Sequence, residues 1–346
     1  MSGSVDILIV GAGLTAATLC AKLKAHHRIL VVDTRDHLGG NCYDYPSQGT
    51  MIHHYGPHIF HTSSDRIVEF LSGYTAWKPC RYSVTGEIED GGQLKQVPFP
   101  CSEQTERALG RQLNPDEIIN LFFRGYTKKM WGKDWEDMPA SVRNRVPKHS
   151  KKTSDYFPGQ FQAQPQRGFT HMIENMLDGV DVILGESPDA WYRIAAKKVI
   201  YCGRPDHIRD GRGQIIAQNQ GLLLPYRSLH ITKHSEPWEL DTVGLNFCHS
   251  RTSRTRHVCY RMLTGGRSSV VSHEVPYEAD PDDTAPYYPK SEPEYRHRYE
   301  QLAREIRTHH PGLVLAGRMG TYMYYDMDQC VGHGLALAEK VLKGED

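Results

Sequence analysis

The chain of 346 residues has no surplus of charge, since 41 Lys and Arg balance 41 Asp and Glu. No global basic field is left to gather nucleic acid, so any anion has to be met by cations placed locally. Cysteine pairing is also missing. Cys20, Cys42, Cys80, Cys101, Cys202, Cys248, Cys259 and Cys330 are scattered, with no C-x-x-C pair, and read as the reduced thiols of a cytoplasmic protein. No apolar run reaches membrane-spanning length, and no basic segment leads into a signal-like apolar core. Internal repeats and low-complexity tracts are absent as well. The expectation is a soluble, unprocessed protein, built as one discontinuous unit with an insertion or as two to three lobes.

What is present is concentrated at the start. VDILIV is an apolar run ending at glycine, the pattern of a strand buried on both faces, and Gly11, Gly13 and Ala16 follow at G-x-G-x-x-A spacing. Gly11 permits a tight turn, Gly13 lets the backbone approach a pyrophosphate, and Ala16 is small enough for a helix to pack closely on its strand. A second strand, Arg28 to Val32, ends at Asp33, the position of a carboxylate that binds an adenosine ribose. Gly39, Gly40 and Asn41 come next. A glycine pair just past the ribose acid resembles the extended dinucleotide motif of flavoproteins related to the amine oxidases, which points to FAD rather than NAD.

The rest divides into segments. Residues 1–78 read as the first part of the dinucleotide-binding domain and 79–150 as a small, mainly helical insertion with a mobile loop. Residues 151–225 return to the dinucleotide-binding domain, 226–300 alternate as an antiparallel substrate lobe, and 301–346 supply a final strand and helix. Within these, Asn114-Pro115-Asp116-Glu117 is a helix start with an N-cap and a first-turn proline, and a last helix opens near Asp326. Glycine turns at both chain ends imply an α/β fold whose Rossmann-like FAD-binding domain is formed by both ends.

The segments IHHYGPHIFHT, FFRGYTKKMW, NRVPKHS, PYRSL, RTRHV, APYYP and GRMGTYMYYDM, in that order, resemble the UDP-galactopyranose mutase family over nearly the whole chain. The resemblance implies an isomerase that interconverts pyranose and furanose forms of a nucleotide-diphosphate sugar. In that family reduced FAD is the active form, its N5 holds the anomeric carbon, and no net redox change occurs. It further implies catalytic roles for Arg145 on a mobile loop and Arg256 opposite it, both toward the diphosphate, where a planar guanidinium suits phosphate oxygens. His61 and Asp326 are implied beside the sugar and flavin. Phe122, Phe123, Tyr126, Trp131, Tyr156, Arg227, Asn246, Tyr288 and Tyr324 are implied to line the substrate cleft, although the spacing of Phe122 and Tyr126 suits core packing equally. His58, Arg318 and Met327 join the glycine motif, Asp33 and Asn41 on the cofactor.

Several positions depart from the family pattern. The segment between Pro100 and FFRGY is only about twenty residues, Pro57 interrupts the histidine segment, and Arg167 replaces the first glycine of a turn. These leave room for a flavin-independent mutase acting on a GDP- or dTDP-hexose with a divalent metal such as Mg or Mn, held by His53, His54, His58 and His61. A flavin oxidoreductase of the amine-oxidase type and an inactive sugar-nucleotide binder are further alternatives. Two opposed arginines and several tyrosines favour diphosphate chemistry over an amine substrate. Choice of hexose and base, pathway and oligomeric state, a homodimer included, stay open.

Overall fold

The computed structural model describes residues 5–144, 146–147, 149–280, 286–290 and 292–345. Two sheets organise them. The first has five strands in the order Asp181–Ile183, Ile29–Val32, Val5–Val10, Ala196–Tyr201, Leu313–Leu315, every adjacent pair parallel. Its central strands are continuous apolar runs because both faces are covered. On one face Ile7 and Ile9 pack with Leu14–Leu23, Phe169–Leu177 and the final helix Met327–Lys343. On the other, Leu8 packs with Trp191 and with Leu302 and Ile306 of the helix Pro293–His309. Both chain ends therefore build this lobe, as the glycine turns imply.

The second sheet has seven strands, in the order Tyr288–Pro289, Tyr226–Ser235, Val270–Ala279, Arg256–Cys259, Gly244–Phe247, Val84–Asp90, Gln93–Phe99. The 79–150 segment is helical from Glu103 onward, but its strands do not stand apart from the large sheet. Its first part is a hairpin turning at Gly91-Gly92, and Val84–Asp90 pairs in parallel with Gly244–Phe247, which extends the substrate sheet. The physical cause is the alternation in VTGEIED, which buries Val84, Gly86 and Ile88 on one face. Helices follow as expected. Asn114 caps Pro115–Ile118 through a capping box. The chain then continues through a π-helical turn, Ile119–Arg124, into Gly125–Trp131. Gly125 allows this helix to lie directly on the sheet, since a Cβ there would come within 2.4 Å of the Cys248 carbonyl oxygen.

Small sheets join the lobes: Phe60–Thr62 and Trp77–Pro79 flank Phe161–Pro165, and Asp44–Ser47 pairs with Thr50–His53. Among the described residues no helix is long and apolar enough to cross a membrane.

Candidate active site

The first βα turn forms a narrow cradle. Gly11 has φ +106°, and its N–H donates to the Val32 carbonyl at 2.7 Å. Asp33 accepts the Ala12 N–H at 2.6 Å and the Arg35 N–H at 2.9 Å, which ties the carboxylate to the turn. The Gly39 N–H donates to the Ala12 carbonyl at 3.0 Å. Gly13 and Gly39 form a bridge, and a Cβ on Gly40, at φ +56°, would lie 3.1 Å from the Gly13 Cα. Asn41 accepts from Arg35 at 2.9 Å, and Ala16 is fully buried beneath. Gly13 caps the helix Leu14–Leu23 without a side-chain hydrogen bond, so the first-turn N–H groups face outward toward an anion. The sequence motif and the geometry coincide: two glycine turns pressed backbone to backbone leave a groove that fits a dinucleotide diphosphate.

From the other end of the chain, Arg318 reaches the Tyr325 and Tyr287 carbonyls, and Met327 opens the last helix against the same core. The backbone N–H of Asp326 donates to Gln329 at 2.9 Å. His58 lies within the fields of both Arg318 and Arg256, and burial, reinforced by Arg318, pulls its pKa down to about 4. Its Nδ1 is buried with no hydrogen-bond partner, a neutral polar atom aimed at the junction of the lobes.

On the seven-stranded sheet, Asn246 pairs with Arg256 and Arg256 with Glu274 across neighbouring strands, so the three form one row on one face. Arg256 donates from Nε to Glu274 at 2.9 Å, with side-chain exposures of 23% and 2%. Burial opposes the Arg256 charge, but Glu274 more than offsets this and holds the guanidinium well above the ordinary arginine range. Tyr82, Tyr126 and Tyr288 surround it. Burial raises the pKa of Tyr126, Tyr156 and Tyr288 in turn, so these hydroxyls are neutral donors at physiological pH. The Tyr288 ring sits 5.4 Å from Tyr324 and 6.4 Å from Trp131, and Arg318 lies 5.6 Å over Tyr324. The aromatic group therefore links the Arg256 row to the Arg318 end of the cradle. Asn246 Oδ1 and Glu274 Oε1 are buried acceptors without partners.

Not every expected residue joins this cleft. Phe122 and Phe123 are 1% and 9% exposed and pack on Phe99 at 5.7 and 6.0 Å. Their helical spacing serves the core, and neither offers a free face to a base. Arg227 is buried and spent on the Met130 and Lys129 carbonyls at 2.8 and 2.9 Å, where it closes the C-terminus of Gly125–Trp131. His61 stacks on Phe157 at 3.7 Å and bonds Gln160 at 2.9 Å. Arg145 lies outside the described residues.

The four histidines of the early segment do not converge. His53 takes the His58 N–H on Nδ1 at 2.8 Å, while His54 packs edge-on against Tyr55 at 4.5 Å. Among the described residues they form no metal-ligating group. Tyr82 and Glu274 were not anticipated. Glu274 was readable in principle, because Arg256-His257 and His273-Glu274 are complementary dipeptides that antiparallel pairing sets opposite each other.

Fold and site define a class: a two-lobed α/β protein whose Rossmann-type dinucleotide lobe faces an arginine- and tyrosine-lined cleft on a second sheet. The model of NAD(P)-binding Rossmann-like domains matches residues 9–74. The chain belongs to the UDP-galactopyranose mutase family, whose model matches residues 121–324. A dTDP-fucopyranose mutase of Escherichia coli is 27% identical, with 97% of this chain and 98% of that protein covered. A probable UDP-galactopyranose mutase of Klebsiella pneumoniae is 28% identical over 97% and 94%. A reduced UDP-galactopyranose mutase superimposes with a TM-score of 0.72 at 14% identity, covering 99% of this chain and 94% of that one. Putrescine oxidase follows at 0.57, 14% identical, with 99% of each chain covered. At that identity the structural likeness speaks for the fold.

Proposed function

We propose that this chain is a nucleotide-sugar mutase that interconverts pyranose and furanose rings, using FAD in reduced form. The observation that carries the reading is Arg256, a guanidinium locked by a buried carboxylate within a cage of neutral tyrosines, next to a groove shaped for a dinucleotide. An amine substrate has no use for such a fixed cation, whereas a departing nucleoside diphosphate needs one.

The residues of the cradle fit FAD. Gly11, Gly13 and the helix N-terminus would meet the diphosphate, Asp33 the ribose, and Gly39-Gly40 the far side, where a Cβ on Gly40 would press on the Gly13 Cα and force the two turns apart. His58, Arg318 and Met327 stand at the end where the flavin ring would lie. Reduced flavin, when bound, supplies the nucleophile toward the anomeric carbon. The chain does the rest. Arg256 neutralises charge as the anomeric carbon–oxygen bond to the diphosphate breaks, and the Tyr288 and Tyr324 hydroxyls donate to the phosphate oxygens. The family resemblance gives Arg145 the role of a second cation toward the diphosphate. Asn246 Oδ1 and Glu274 Oε1 accept from sugar hydroxyls and orient the ring while it opens and recloses.

The test is an absorption spectrum before and after dithionite, followed by chromatographic assay of UDP-galactose and dTDP-fucose with wild type and Arg256→Ala. A bleachable flavin band, and a loss of about 10²-fold or more in turnover by the variant, are expected. A protein that stays colourless after incubation with FAD overturns the cofactor assignment. Wild-type turnover by Arg256→Ala overturns the clamp.

A further inference from the structure

We propose that Glu236, His257 and His273 form a zinc site on the face of the seven-stranded sheet opposite the cleft. Strand alternation puts it there. His257 and His273 are direct cross-strand partners, one residue along from Arg256 and Glu274, so their side chains leave the other side of the sheet. Glu236 arrives from the end of the strand Tyr226–Ser235.

One donor atom from each of the three lies within 4.8 Å of the others. Drawing them in by about an ångström gives the mutual spacing of roughly 3.3 Å that tetrahedral bonds of about 2.0–2.1 Å require. The two imidazoles stack face to face, with ring centroids 3.7 Å apart and planes 12° apart, so one ring turns about its Cβ–Cγ bond to bring its nitrogen onto the shared ion.

Two contacts change on binding. The exposed Arg254 guanidinium, 3.5 Å from His257 Nε2, swings out into solvent. The hydrogen bond between His273 Nε2 and Glu236 Oε1, 2.7 Å long, is given up as both atoms turn to the metal, and the neutral imidazole carries its proton on Nδ1. Two imidazoles and one carboxylate are the donor set of zinc and its late first-row neighbours, not of Mg²⁺. The cation ties the strands of Arg256 and Glu274 to the segment after the neighbouring strand, and so braces the row that lines the cleft. Neither the groove nor the sugar chemistry enters this argument.

Calorimetric titration of the full-length, cofactor-loaded protein with ZnCl₂, in buffers of different ionisation enthalpy, tests the site. The expected result is one zinc per chain, no response to MgCl₂, and at least tenfold weaker binding in Glu236→Gln and in His257→Gln. Zinc-edge X-ray absorption of the loaded protein should show two imidazole nitrogens and a carboxylate oxygen. Glu236 is only half-buried in a connecting segment, so Glu236→Gln keeps the test open should His257→Gln misfold. Absence of zinc binding, or binding that both folded variants retain at wild-type strength, overturns the proposal.

Discussion

Glu274→Gln separates the two things that Glu274 does, which are neutralising Arg256 and aiming it. The substitution keeps shape and one hydrogen bond but leaves a largely buried cation uncompensated. Breaking a fully buried pair costs roughly 3–5 kcal/mol. Arg256 retains 23% of its side-chain surface, and the water this admits lowers the expected loss to about 2–3 kcal/mol. Urea unfolding should show it as a drop in midpoint at unchanged slope. The electrostatics of the cleft move the other way, because one negative charge has gone from beside an anion site. UDP should therefore bind the variant at least as tightly as wild type and raise its unfolding midpoint by more, since the ligand binds only the folded state. Turnover should fall by at least tenfold, because the guanidinium is no longer held in register with the departing diphosphate. A stability loss below about 0.5 kcal/mol, in the range of an exposed ion pair, refutes the buried-pair argument. UDP affinity that falls in step with stability refutes the charge argument.

Phe122→Ala should destabilise the protein by about 3–5 kcal/mol, as loss of a core phenylalanine does, with KM for the nucleotide sugar unchanged in the folded fraction; a large KM increase at full stability would put Phe122 back in the cleft. Gly40→Ala combines a positive φ with a 3.1 Å approach to Gly13. A strain of roughly 1–2 kcal/mol should weaken FAD retention by about tenfold while far-UV circular dichroism is unaltered, and equal flavin occupancy in variant and wild type would count against the cradle. The His58 imidazole, held down to about 4 by burial, binds its proton far more readily once unfolded, near pH 6.5. Stability is therefore fully present above about pH 6.5 and falls by up to ~3 kcal/mol as pH drops toward 4; His58→Gln should flatten that slope in urea titrations at pH 7 and 4.5, and an unchanged slope rejects the assignment.

The cofactor lobe was legible because its signals are local. A buried strand, two glycine turns and an acid lie within the first forty-one residues, and each fixes backbone conformation by itself. The substrate sheet was legible as alternation but not as topology. Nothing in VTGEIED says that it pairs in parallel with Gly244–Phe247, a partner far along the chain, so the strand-like stretch with its Gly91-Gly92 turn was placed in the insertion rather than in the large sheet. Among site residues, Arg256, Asn246 and Tyr288 followed from family motifs and meet in space. Phe122 and Arg227 carry the same motifs but are consumed by packing and by helix-end carbonyls, which depends on neighbours that a linear motif does not contain. Glu274 lies in a segment without any motif. Its role appears only once register places it opposite Arg256.

The order of strands in the parallel sheet also sets the order of events during synthesis. Val5–Val10 waits for Ala196–Tyr201, which in turn waits for Leu313–Leu315, so the sheet that carries the glycine turns is incomplete until nearly the entire polypeptide has emerged. The seven-stranded sheet, by contrast, has six of its strands available once residue 279 has been made. The nascent chain thus has most of the larger sheet in hand before the parallel sheet is complete. Its Ile29–Val32 and Val5–Val10 edges stay apolar strands without their final neighbours until residues 183 and 201 respectively have been made, which leaves them open to wrong pairing in the meantime.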